Sequence, residues 1–154
     1  MRNPDTGPVE TDVDDLVALA REAASAYIAG EMRRYFDLMR HAADFTLLAP
    51  FGGEVSRESA GPVTPERLAA LEATFRGGEC DLDVVATHVS GDLAVLVAVE
   101  RQHGLVGELP AQDWSLRVTL VFRRDGAGWR LLHRHADPLV HPITFEQLAA
   151  LARG

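Results

Sequence analysis

Apolar residues along this chain change their spacing part-way through. Between Asp12 and Gly30 they recur every three or four positions, at Leu16, Leu19, Ala20, Ala23, Ala24, Tyr27 and Ile28, which is the spacing of one helix face. Asp12, Asp14 and Asp15 stand where the positive end of a helix dipole favours carboxylates, so a long first helix is expected, ending near Gly30. Met32, Tyr35, Phe36 and Met39 predict a short second helix over 31–40. The run 44–50 (DFTLLAP) predicts a strand halted by Phe51-Gly52-Gly53. A third helix opens at Thr64 as N-cap with Pro65 at its first position, turns Leu68, Leu71 and Phe75 inward, and is closed by Gly77-Gly78. The period then falls to two. Four strands follow, at 81–89, 93–103, 115–124 and 129–137, joined by turn-forming residues that favour an antiparallel meander. A last helix is expected over 144–152. Helices first and sheet second make the chain α+β.

Residues 1–11 mix Pro, Gly and charge without periodicity and read as a flexible lead-in to a single domain over 12–154. With 154 residues the chain can bury roughly 68–70% of its unfolded surface, enough for one real core. A net charge of −8 argues against nucleic acid and anionic membrane as partners. No run reaches the ~20 apolar residues of a membrane span, and the N-terminus lacks the pattern of a signal peptide, so a cytoplasmic protein is expected. All 15 basic residues are arginine, which excludes Schiff-base and lysine general-base chemistry. The one cysteine, Cys80, excludes an internal disulfide and reads as a small buried hydrophobe.

The last hairpin concentrates the ionisable groups. Its second strand carries His133, Arg134, His135 and Asp137, and a strand sends alternate residues to opposite faces. Treating 125–128 as a four-residue loop sets Arg124 opposite Trp129. It then pairs Val118 with His135, Thr119 with Arg134, and Arg117 with Ala136. On that register Arg117, Thr119 and Arg134 share one face, and His133, His135 and Asp137 share the other with Val118, Leu120 and Phe122. A loop of effectively three or five residues reverses the assignment and turns the histidines inward. His-x-His with Asp on one strand face also has the ligand types of a metal site, although i and i+2 positions ~6.5–7 Å apart need help from another element.

Four stretches carry a family resemblance: Tyr27-Ile28-Ala29-Gly30-Glu31, Asp44-Phe45-Thr46 through Pro50-Phe51-Gly52-Gly53, Gly91-Asp92-Leu93-Ala94-Val95, and Trp129 through His135. In order and spacing they resemble the nuclear-transport-factor-2-like superfamily, which includes SnoaL-like cyclases, ketosteroid isomerases and the association domain of calmodulin-dependent kinase. The resemblance implies a cone-shaped curved antiparallel sheet wrapped around the long N-terminal helix, a pocket at the open end, and a dimer through the sheet's outer face. Tyr27 matches the isomerase tyrosine. The isomerase base falls at Ala49 and its second acid near Thr119, so steroid isomerisation by that mechanism is not expected. Trp129, His133 and His135 match a pattern of the kinase association domain. The pocket arginines of that domain fall at Glu100, Arg117 and Ala136.

The resemblance thus places Arg117, Thr119 and Arg134 in the pocket, with Glu100 and Gln102 from the preceding strand. The expected function is binding of a small, largely apolar molecule and acid/base chemistry on it without a cofactor, of isomerase, cyclase, dehydratase or hydrolase type. Glu100 would be base or orienter, Arg117 and Arg134 would stabilise charge, and Tyr27 would donate a hydrogen bond. Phe51 and Trp114 would rim the mouth. Val118, Leu120, Phe122, His133 and His135 would face a second copy. The alternatives are a non-catalytic binding or dimerisation module and, third, a metal-dependent enzyme using His133 and His135.

Overall fold

Small side chains on the first helix set how closely a sheet can approach it. The computed structural model describes residues 8–57 and 63–154, with side chains from Asp12 onward. Helix α1 (Pro8–Ile28) buries Leu16, Ala20, Ala23, Ala26 and Ile28. Its alanines bring the helix near enough for Ser25 Oγ to donate to the Cys80 carbonyl (3.2 Å) and Arg21 Nε to the Leu82 carbonyl (3.4 Å). The helix expected from Asp12 already begins at Pro8, and residues 1–7 of the expected lead-in lie outside the described residues. Asp12 is held by Arg124, whose guanidinium lies 4.4 Å above the Trp129 ring, so the acidic helix start is tied to the last hairpin.

After α2 (Met32–Leu38) come β1 (His41–Leu48), β2 (Ser56–Arg57), α3 (Pro65–Thr74), β3 (Phe75–Ser90) and β4 (Leu93–Val106). Then follow β5 (Gln112–Asp113), β6 (Leu116–Asp125), β7 (Gly128–Asp137) and α4 (Phe145–Leu151). The sheet order is β2-β1-β7-β6-β4-β3, with β5 on β4. The four long strands form the expected antiparallel meander, but β1 joins β7 in parallel, so the curved, unclosed sheet is mixed. Leu16, Ala20 and Ala23 of α1 pack with Leu82, Leu96, Ala98, Val118, Leu120, Phe122 and Leu131 on its inner face.

Gly77-Gly78 does not end α3. That helix stops at Thr74, capped by Thr64 at its start, and both glycines lie in β3. A Cβ on Gly78 would stand 2.5 Å from the His103 carbonyl and 2.8 Å from Ile28 Cγ1. The glycine is there because the end of α1 rests directly on the β3–β4 backbone.

The register of the last hairpin also differs from an unbroken count. Asp125 pairs with Gly128 across Gly126-Ala127, and Arg124 faces Trp129 as expected. The ladder then shifts between Phe122–Leu131 and Val121–His133, leaving Leu132 as an extra residue. Beyond that bulge Leu120 pairs with Arg134, Thr119 with His135, Val118 with Ala136 and Arg117 with Asp137. Arg117 and Thr119 therefore do not share a face with Arg134. They lie on the outer face with His133, His135 and Asp137. Val118, Leu120 and Phe122, expected at a dimer surface, are instead 3%, 3% and 0% exposed in the core.

Candidate functional site

Alternation along β4 turns Ala94, Leu96, Ala98 and Glu100 inward, and Glu100 is the one charged residue among the described residues that is fully buried. Its partner arrives from β7. Arg134 donates through Nη1 to Glu100 Oε1 at 2.6 Å and through Nη2 to Oε2 at 2.9 Å, a two-pronged ion pair. Glu100 stands level with Leu116, and Arg134 with Leu120, so the two side chains reach toward each other along β6. The residues between them, Ala98, Val118 and Ala136, are small enough to leave that path clear.

Burial works against the charge on Arg134. The Glu100 carboxylate, by proximity and by hydrogen bonding, more than offsets it, and the guanidinium is held above its ordinary range, with Tyr35 and Tyr27 among its neighbours. Both tyrosines therefore belong to the site. Tyr27, near the end of α1, meets Tyr35 of α2 edge-on at 4.9 Å and Phe75 of β3 at 4.7 Å. Tyr35 continues the aromatic wall to Phe36 and His41, and His41 stacks on Phe45 at 4.0 Å. Cys80 of β3 lies near enough to Glu100 and Arg134 to feel both charges. Burial, then the negative charge of Glu100 and Asp81, pushes its thiol up to about 12, with Arg134 opposing. It is a half-buried sulfur held as the neutral thiol.

Two residues beyond Glu100 on β4, Gln102 is held to Trp114. Gln102 Nε2 donates to the Trp114 carbonyl (2.9 Å), the Trp114 amide to the Gln102 carbonyl (2.9 Å), and Trp114 Nε1 to the Gly104 carbonyl (3.1 Å). Phe51 extends into solvent, 91% exposed. Arg117 grips Asp137 on the outer face at 2.8 and 2.9 Å, and Thr119 lies beside His135. Of the expected residues, then, the structure pairs Glu100 with Arg134 and sets Tyr27 near the pair, while Gln102 and Trp114 bond to each other two residues further along β4. It adds Tyr35 and Cys80. Tyr35 was legible as an inward residue of α2, but only the reversal of the chain at Gly30 brings its ring to Tyr27.

The outer face has its own order. Val95, Val97, Val99, Thr119 and Val121 occupy its centre, with His88 on β3 and His133 and His135 on β7 at the flanks. His133 Nδ1 is 2.7 Å from Thr46 Oγ1 of β1, and no three His, Cys, Asp or Glu side chains converge among the described residues. Ion pairs ring the face: Arg101 with Asp83, Arg117 with Asp137, Arg123 with Asp44. At the opposite end of the sheet from Glu100, a shallow cleft of about 220 Å³ opens between the helices and the last hairpin, lined by Leu19, Asp37, Leu38, Arg40, Trp129 and Arg130. No described helix is long and apolar enough to cross a membrane.

A curved, unclosed sheet wrapped around a long helix is the architecture of the nuclear-transport-factor-2-like fold class, and solved structures agree. The chain superposes on an NTF2-like superfamily protein of Salmonella enterica with a TM-score of 0.69 at 17% identity, over 89% of this chain and 95% of that one. An NTF2-like protein of Streptomyces avermitilis, provisionally named a dehydratase, gives 0.66 at 22% identity over 86% and 99%. The association domain of Caenorhabditis elegans CaMKII gives 0.60 at 15% identity over 83% and 96%. Within this class the chain belongs to the SnoaL-like domain family, whose profile matches residues 16–140. No curated protein matches it.

Proposed function

We propose that the chain binds a small, largely apolar molecule at the open end of its cone and carries out acid/base chemistry on it without a cofactor. The observation that carries this reading is the buried Glu100–Arg134 pair beside Tyr27 and Tyr35. A guanidinium has five N–H donors, and Glu100 takes two. Arg134 can therefore receive developing negative charge on a substrate oxygen while still paired. As it shifts toward that oxygen it frees the Glu100 carboxylate to accept a proton. The tyrosines orient the same oxygen. The provisional dehydratase name of the Streptomyces neighbour is compatible with such a step, elimination of water beginning with proton abstraction.

The test is Glu100→Gln, which keeps an oxygen for Arg134 but removes the base. Against a panel of hydroxy-carbonyl compounds screened first for thermal stabilisation of the wild type, the variant should bind, remain folded by circular dichroism, and lose turnover by a factor of at least 10². Undiminished turnover overturns the assignment of Glu100.

A second reading has its own support. Glu100 is only 5% exposed and fully engaged, while the outer face presents a central patch of valines. Those features favour a binding or dimerisation module, in which the pair is structural and the outer face meets a second copy. Val97→Asp, at the centre of that face, should convert a dimer to a monomer in sedimentation experiments. A wild-type chain that is already monomeric removes this reading.

A further inference from the structure

The cleft between the helices and the last hairpin shares no residue with the Glu100–Arg134 site. Leu19 of α1, Leu38 of α2 and Trp129 of β7 pack against the core, stay half-buried, and form its apolar walls. Those walls are tied in place. The Leu131 amide donates to the Arg40 carbonyl at 2.8 Å and so joins the end of α2 to β7. Arg124 lies over the Trp129 ring and is itself held by Asp12, while Arg130 is held by Asp125. The cleft is therefore preformed, as small-molecule sites generally are.

Its polar groups come in both signs. Asp37 and Arg40 line the cleft three positions apart, both are exposed, and neither side chain makes an ion pair or hydrogen bond among the described residues. That sets Arg40 apart from Arg34, Arg101, Arg117, Arg123 and Arg124, each of which closes on a carboxylate. The Trp129 Nε1–H, buried in the wall, has no acceptor among the described residues either. Arg40 and Arg130 are balanced by Asp37 and by Asp125, so the lining as a whole favours a neutral zwitterion over a plain anion. A volume of about 220 Å³ equals roughly seven waters at ~30 Å³ each, room for an amino acid and too little for a nucleotide.

We propose that this cleft is a second small-molecule site and that it takes a free amino acid with an apolar side chain. Arg40 receives the carboxylate, Asp37 the ammonium, and Leu19, Leu38 and the Trp129 indole the side chain. The proposal is independent of the chemistry assigned to Glu100 and Arg134, and neither residue is needed for binding here.

The experiment follows the indole N–H resonances of the ¹⁵N-labelled full chain, one each from Trp114 and Trp129, with Trp114→Phe to assign them. The probes are L-leucine, 4-methylpentanoate, which lacks the ammonium, and 3-methylbutylamine, which lacks the carboxylate. Leucine should shift the Trp129 resonance saturably with a midpoint at about 1 mM, an affinity within reach of so small a ligand. Each truncated probe should bind at least tenfold more weakly. Arg40→Gln, an exposed change that should leave the circular dichroism unaltered, should weaken leucine at least tenfold, and Asp37→Asn should bring leucine and 4-methylpentanoate to equal affinity. No saturable shift up to ~20 mM leucine overturns the proposal. So do equal shifts from all three probes, or leucine binding that Arg40→Gln leaves unchanged. A shift abolished by Arg134→Met and kept in Arg40→Gln would put leucine at the buried pair, and overturns it as well.

Discussion

Glu100 and Arg134 belong to strands that never touch, yet their side chains close a two-pronged ion pair by running toward each other over β6. The small residues Ala98, Val118 and Ala136 beneath them give the pair its room, and the surrounding core gives it its low exposure.

A pair of this kind is asymmetric to mutation. Arg134→Met strands a buried carboxylate and should cost about 3–5 kcal/mol. Glu100→Leu combined with Arg134→Met removes both charges and should recover most of that loss. Urea denaturation of the two proteins decides it: a double variant no more stable than Arg134→Met would mean that the stranded charge is not what destabilises the single one.

The outer pair responds to acid. The Asp137 carboxyl is held below its usual range, chiefly because Arg117 donates two hydrogen bonds to it, with burial opposing. A lowered carboxylate contributes stability that is complete above the ordinary range near pH ~4 and is lost as pH falls through its folded-state value. Arg117 is more than half exposed, so the contribution is about 0.5–1 kcal/mol. Asp137→Asn should be less stable than wild type by that amount at neutral pH, and the two melting curves should converge in acid. A constant gap down to the lowest pH would show that the pair is not the cause.

Cys80 should resist thiol reagents. With its thiol pushed up to about 12 by burial, only on the order of one molecule in 10⁴ carries the thiolate at pH 8. Reaction with a chromogenic disulfide should therefore follow unfolding, accelerating in denaturant. Rapid labelling of the native chain would contradict a thiol held neutral by partial burial, Glu100 and Asp81.

Gly78→Ala should destabilise by about 2 kcal/mol, because the new methyl group meets the His103 carbonyl and Ile28 at the end of α1. Gly126→Ala, in open space at the last turn, is the control and should be near neutral. Thermal melts compare them directly; equal effects would argue against the close approach of α1 to the sheet.

The helices and the meander were legible because their apolar spacing is regular and their ends carry caps, as at Thr64 and Thr144. The parallel docking of β1 on β7 was not, since these strands are far apart in sequence and no local signal records their pairing. The inner face was the harder matter. Val118, Leu120 and Phe122 alternate in the same way whether a core or a second copy covers them, and the pattern alone does not choose. An unbroken ladder under a core made of those three residues would have placed His133 and His135 inside. Arg134 is inside because Leu132 is an extra residue, and the only trace of it in the sequence is the adjacent pair Leu131-Leu132, two apolar residues where strict alternation allows one.

That single inserted position makes the string WRLLHRHAD ambiguous as a label. In a relative that spells the same letters without the bulge, the histidines would point to the inner face and the arginine to the outer one. Inheritance of a site within this family is therefore a matter of where strands slip by one, and letter-by-letter matching of the motif transfers a role only when the slip is shared.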